Sequence, residues 1–196
     1  VLSHNDLHAE NVLCLKGSNR LLIIDYEYSD YNFRGYDFAN IINESAFVYH
    51  TSKAPYFILD EDKLFTEEET RDFVTYYLFF SKFKIEQSEG SLYWQDENEM
   101  KDYVKKHQDW DIFEEEVNEI LNEVKVCRLF SHFYWILWSI VMCKRPEFTF
   151  DYIRFAHERT KEYKKLKRKF FGFKRSHSKE IQQSSLHERT NLPCFE

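Results

Sequence analysis

Short apolar runs and longer stretches with a period near 3.6 divide the chain between them. Val12-Leu13-Cys14-Leu15 and Leu21-Leu22-Ile23-Ile24 are separated by Lys16-Gly17-Ser18-Asn19, a pattern that predicts two short strands joined by a Gly/Asn turn. Phe38, Ile41, Ile42 and Phe47 fall at helical spacing, so a helix is expected over 36–49, with Asp37 near its positive end. Thr66-Glu67-Glu68-Glu69 has the form of a capping box, and Phe73, Tyr77, Phe80 and Phe83 follow on one predicted face. Residues 85–100 are polar without a period and read as a loop. From Asp111 the positions Phe113, Val117, Ile120, Leu121, Val124, Cys127 and Phe130 or Ser131 predict one long helix with a single bend, stopped by Arg145-Pro146. A last helix is expected to carry Phe150, Tyr152 and Phe155. The segment 176–196 has no period and reads as disordered.

With 43% hydrophobic residues over 196 positions, one good-sized domain can bury a core. A net charge of −7 and a pI near 5.7 argue against a general nucleic-acid binder. The acids cluster in 60–69 and 96–123, as solvated helix faces do. Cys14, Cys127, Cys143 and Cys194 form no CxxC pair, which leaves little basis for zinc or disulfides and fits a reducing, cytoplasmic setting. The apolar run 129–143 contains Ser131, His132 and Ser139 and is too short for a membrane span, so a buried helix is expected. Lys164 to Arg175 holds seven basic residues and no acid; a solvated helix end is the first reading and a weak membrane-surface contact the second.

Asp6, Asn11 and Asp25 flank the predicted hairpin. Phosphoryl transfer from a magnesium nucleotide needs a carboxylate to accept the proton of the attacking hydroxyl, and hard oxygen donors to hold Mg²⁺ on the phosphates. The interval from Asp6 to Asn11 equals that in the H-R-D-x-x-x-x-N loop of protein kinases, with Asp25 where their second metal-binding Asp falls. An Asp and an Asn five apart also occur in ordinary loops.

The stretch Leu22 to Glu44 decides between these. Ile24-Asp25-Tyr26-Glu27-Tyr28, Tyr31-Asn32, Arg34-Gly35-Tyr36-Asp37, Asn40 and Glu44 resemble the long motif of the choline/ethanolamine kinases, preceded at the proper distance by His4-Asn5-Asp6-Leu7 and Asn11. The related aminoglycoside phosphotransferases share only the first part. A further resemblance runs through Ser131 to Val141, where Trp135 and Trp138, i and i+3 on a helix, can face one cavity; alone, they would be core. Phe150, Tyr152 and Phe155 match the family's remaining aromatic cluster.

What the resemblance implies is a mainly α fold with a small β-hairpin, the C-terminal lobe of a protein-kinase-like α+β fold, over about 1–165, followed by a basic and then disordered tail over 166–196. It implies transfer of the γ-phosphoryl of ATP to the hydroxyl of choline or ethanolamine, the first step toward the corresponding phospholipids. Asp6 would be the catalytic base, and Asn11 and Asp25 the Mg²⁺ ligands. Glu44, Tyr49, Trp135, Trp138, Phe150 and Phe155 would bind the amine, the rings stabilising its cation. His4, Glu27, Arg34 and Asp37 would be structural support, Arg34 and Asp37 bracing the turn. The family's smaller N-terminal lobe, with its glycine-rich loop and lysine, has no counterpart here: three residues precede the catalytic loop, and Gly17, Gly35, Gly90 and Gly172 are isolated. The chain alone is therefore expected to be inactive, and Val1 in place of Met implies missing N-terminal sequence. A homodimer is compatible with the resemblance.

Tyr26 stands where Phe is usual, Ser45 where an aromatic often follows Glu44, and His8-Ala9-Glu10 replaces a Gln-containing loop. None of these removes a charged catalytic group. Two other readings stand beside the kinase: a non-catalytic remnant that binds an amine or a partner protein, and a metallohydrolase using His4, Asp6 and His8.

Overall fold

The two apolar runs near the start pair as expected in the computed structural model, which describes residues 1–17, 20–82, 97–107, 110–145 and 149–172. Strands β2 (Val12–Cys14) and β3 (Leu21–Ile23) are antiparallel, with Val12 opposite Ile23 and Cys14 opposite Leu21. Two further ladders were not visible in the pattern. Strand β1 (Leu2–Ser3) pairs antiparallel with β4 (Asp30–Tyr31), tying the loop before the hairpin to the segment after it.

The second ladder corrects the helix expected over 36–49. Helix α1 spans Tyr36–Ser45 and stops at Ala46, and Phe47–Tyr49 forms β5, paired antiparallel with β6 (Phe57–Leu59). Phe47 satisfies a helical period counted from Phe38, yet Phe-Val-Tyr is also a run of strand-favouring residues, and tertiary pairing decides between the two.

Thr66 caps α2 (Glu67–Lys82) as its sequence implies: its hydroxyl accepts from the Glu69 amide at 3.1 Å while the Glu69 carboxylate accepts from the Thr66 amide at 2.8 Å. The face that α2 buries is rotated from the predicted stripe. Val74, Leu78 and Phe79 are fully enclosed, Phe73 and Phe80 flank them and Tyr77 is half exposed. Phe83, the polar stretch up to residue 96 and the tail beyond 172 lie outside the described residues; Glu97–His107 forms α3.

Helix α4 (Trp110–Met142) runs without a break for 33 residues, about 50 Å. The expected bend does not interrupt it. Its inward positions Phe113, Val117, Ile120, Val124 and Cys127 close a core against Tyr36, Phe38, Ala39 and Ile42 of α1, Val74, Leu78 and Phe79 of α2 and Val104 of α3. Each large side chain buried there stabilises the fold by roughly 1.5–3 kcal/mol. Gly35 sits where α4 passes closest: a Cβ there would lie 3.0 Å from the backbone of Glu123 and Val124. Arg34 grips the same turn of α4 through a two-pronged contact with Glu123 (3.1 and 2.7 Å).

Helix α5 (Tyr152–Phe171), capped by the Asp151 carboxylate on the Arg154 amide at 2.9 Å, packs along α4. Between α4, α5 and the β5–β6 ladder a second apolar cluster forms from Phe47, Phe57, Trp135 and Phe155. Within the basic stretch, Lys165 pairs with Glu61, and Lys169 with Glu67 at 2.9 Å, so two of its charges are met inside the chain.

Candidate active site

The loop carrying Asp6 is held from both sides by short polar contacts. Asp37, in the first turn of α1, accepts from the backbone amides of His4 (2.8 Å) and Asn5 (2.9 Å). Asn5 is left-handed (φ 67°), a conformation Asn tolerates better than most residues; its side-chain amide donates to the Tyr28 carbonyl at 2.9 Å and its Oδ1 accepts from Asn32 at 2.8 Å. His4 Nε2 meets the Ile24 carbonyl at 2.8 Å, and its Nδ1 accepts from the Asp6 amide at 3.3 Å. With both ring nitrogens engaged, His4 has none left for a metal. The His4, Asp6 and His8 metallohydrolase reading therefore loses its ligand set, and no group of three or more His, Cys, Asp or Glu gathers around a common point among the described residues.

Asn11 is buried, and its Nδ2 donates to the Asp6 carbonyl at 2.9 Å, which leaves its Oδ1 as the side-chain group open to a ligand. The Ile24 amide donates to the Asn11 carbonyl at 3.0 Å, setting Asn11 across the hairpin from the residue that precedes Asp25. Asp25 itself is left-handed (φ 65°) and exposed. Non-glycine residues held in that region store strain that the surrounding structure must support. One carboxylate and one amide oxygen, with the other positions left to water and phosphate, is a donor set that suits Mg²⁺.

Asp6 also faces a cavity of about 690 Å³, within the usual range for small-molecule sites. Glu27, Glu44, Tyr49, Trp135, Trp138, Phe150 and Phe155, all picked out from the sequence, line the same cavity; Asn11 and Asp25 are not among its lining residues. His4, Arg34 and Asp37 lie outside it, on the loop and its braces. The two Trp rings meet edge to face at 5.3 Å, and Phe150 and Phe155 are 5.4 Å apart. Phe150 precedes α5 instead of lying on it.

Burial pushes the Asp6 carboxyl up to about 7, with the charges of Glu44 and Asp25 adding to the effect and Arg159 opposing it. A carboxylate near that value can take up a proton at neutral pH.

The sequence reading missed the partners that hold the wall in place. Asn40 is fully buried; its Nδ2 donates to the Leu7 carbonyl (3.2 Å), while its Oδ1 accepts from Ser131 Oγ (2.9 Å) and Trp135 Nε1 (2.8 Å). One amide thus joins the loop that carries Asp6 to α4. Tyr28 accepts from Trp138 Nε1 at 3.2 Å. Arg159 is wholly buried, pairs with Glu44, and has its guanidinium over Phe47 (4.1 Å) and Phe155 (4.7 Å). The other Glu44 oxygen accepts from Tyr49 OH at 2.6 Å. Glu44 is therefore enclosed with both oxygens engaged, where a lone Glu on a helix is ordinarily solvated. Arg159 had a signal: it continues the Tyr152, Phe155, Ala156 series that α5 turns inward.

The profile of the choline/ethanolamine kinase family matches residues 1–164. The chain is 33% identical to a probable choline kinase 3 of Arabidopsis thaliana, across 87% of this chain and 41% of that one. It is 32% identical to choline kinase alpha of Mus musculus (86% and 34%) and 29% identical to ethanolamine kinase 1 of Homo sapiens (85% and 30%). A crystal structure of choline kinase from Cryptosporidium parvum Iowa II superimposes with a TM-score of 0.62 at 29% identity, over 86% of this chain and 38% of that one. The chain spans about two fifths or less of the length of these relatives. No helix among the described residues is long and apolar enough to cross a membrane.

Proposed function

Because the chain belongs to the choline/ethanolamine kinase family, we propose that it supplies the base and the amine pocket for transfer of the γ-phosphoryl of ATP to the hydroxyl of an amino alcohol, with choline preferred. The observation that carries this reading is that Asp6 and the aromatic wall of Trp135, Trp138, Phe150 and Phe155 share one cavity. An ammonium held against that wall would keep its hydroxyl end in the cavity that Asp6 also lines.

In this reading Asp6 accepts the hydroxyl proton as the alcohol oxygen bonds to the γ-phosphorus and the bond from that phosphorus to the departing ADP breaks. Asn11 and Asp25 would hold Mg²⁺, which when bound neutralises phosphate charge. Asp37 and Asn40 fix the loop so that Asp6 does not have to be positioned during the reaction. The carboxylates of Asp6, Glu10, Glu27 and Glu44 outnumber the Arg159 guanidinium in the cavity lining, which favours a cationic substrate. Each Glu44 oxygen already has a donor, which leaves Glu44 less acceptor capacity for the three N–H groups of a primary ammonium, whereas a trimethylammonium needs only ring faces. Both substrates are small and water-soluble, and a cytoplasmic setting suits them.

Two measurements test the proposal. In the longest form of the protein that the gene encodes, Asp6→Ala should abolish ATP-dependent phosphocholine formation, and turnover within about threefold of wild type would remove Asp6 as the base. Trp138→Ala should weaken kcat/KM for choline by about 1–2 kcal/mol and affect ethanolamine less. Equal losses for the two amines would make Trp138 ordinary core and leave the choline preference without support.

A further inference from the structure

Helix α5 turns Tyr152, Phe155, Ala156, Arg159 and Leu166 inward and leaves its opposite face to solvent. Along that face Arg154, His157, Lys161, Lys164 and Arg168 advance by steps of three and four residues, which keeps them on one side of the helix, and all five are exposed. No acid interrupts the series. Glu158 and Glu162 lie on one flank of it, where Glu158 meets Lys161 at 2.9 Å and Glu162 meets Lys165 at 3.7 Å. Glu61 and Glu67 approach the same flank through Lys165 and Lys169. Among the described residues, the side chains of Arg154, Lys164 and Arg168 pair with no carboxylate.

The ends of the series identify the occupant. Ile153 and Phe171 close it, 62% and 51% exposed. They are five full turns apart, so both project on the same side of the helix as Lys164, about 27 Å from each other. A strip of cations between two apolar side chains suits an anionic bilayer: the headgroups take the cations, and the boundary beneath them takes Ile153 and Phe171. A nucleic-acid backbone offers its phosphates to the cations and no apolar layer to the two ends. Because the inward face of α5 is committed to the core, the helix rests on the headgroups and does not roll its buried side chains into lipid. The chain carries −7 overall, so the attraction depends on this face meeting the surface and acts within about 8 Å at physiological salt.

We propose that the outward face of α5, from Ile153 to Phe171, is a peripheral docking surface for an anionic lipid bilayer. Tyr152, Phe155 and Arg159 wall the cavity from the other side of the helix, and no residue of the outward series lines it, so the proposal is independent of the assigned activity. The test is co-sedimentation of the 196-residue chain with phosphatidylcholine vesicles that contain or lack about 30% phosphatidylserine, at about 0.1 M and 0.5 M salt. Wild type should bind the anionic vesicles alone and be released at the higher salt. Each cation held at such a surface strengthens binding by about fivefold, so Lys164→Ala together with Arg168→Ala should weaken it by about 25-fold. Phe171→Ala should weaken it by about fivefold through the lost apolar contact. Lys105→Ala together with Lys106→Ala, at exposed positions on α3, removes the same charge and should leave binding within about twofold. Every variant should keep the circular dichroism spectrum of wild type. A wild type that ignores anionic vesicles, a α5 pair that binds them as wild type does, or a α3 pair that loses as much as the α5 pair would each overturn the proposal. Equal affinity for a DNA duplex would also overturn it, by making the strip a general polyanion surface.

Discussion

Replacing Arg159 by Met keeps much of the side-chain volume and removes the guanidinium. Arg159 has no exposed surface and Glu44 very little, so the variant leaves an enclosed carboxylate that keeps the Tyr49 hydroxyl on its other oxygen. Breaking one side of a buried ion pair destabilises by about 3–5 kcal/mol. The lower end applies here, because Arg159 Nε has no hydrogen-bond partner in the described structure and the pair is not fully satisfied. The stacking on Phe47 and Phe155 adds about 0.5–2 kcal/mol. For a chain of this length the melting temperature should fall by on the order of 10 °C. The assay is thermal and urea unfolding of four chains: wild type, Arg159→Met, Glu44→Gln and the double variant. Removing both charges leaves no uncompensated ion, so the double variant should recover most of the loss and give a coupling of several kcal/mol. An Arg159→Met chain within about 1 kcal/mol of wild type, or a double variant less stable than Arg159→Met alone, would refute the reasoning.

Two further outcomes follow from the same geometry. Asp6 has its carboxyl raised from 3.8 to about 7, so between those values the folded state holds a proton that the unfolded chain has lost, and stability declines as pH rises from about 4 to 7. Asp6→Asn should therefore raise the melting temperature at pH 8, by roughly 1–3 kcal/mol of stability, and the gain should vanish at pH 4; a gain independent of pH would mean that burial does not hold the carboxyl up. Gly35→Ala should destabilise by about 1–3 kcal/mol, because the new methyl group meets the α4 backbone at 3.0 Å and backbone cannot step aside as a side-chain tip can. An unchanged melting temperature in differential scanning calorimetry would show that α4 shifts away freely.

What the sequence determined by itself is the chemistry carried by short intervals. The hairpin, the Asp6–Asn11–Asp25 spacing, the cap at Thr66 and the long helix with Trp135 and Trp138 depend on turn residues, on periods of two or 3.6 and on intervals between residues close along the chain. What only the tertiary structure decided is which polar groups meet across the chain. Asn40 reaches Leu7 on one side and Trp135, 95 residues away, on the other. Glu44 is closed off by Arg159, 115 residues away. On a helix as basic as α5 the Tyr152, Phe155, Ala156 series marks Arg159 as inward but says nothing of the Glu44 it meets, and the strand at Phe47 fits a helical count until Phe57–Leu59 comes alongside. The raised carboxyl of Asp6 has the same origin: burial and the charges of Glu44 and Asp25 act through space, and no spacing along the chain encodes them.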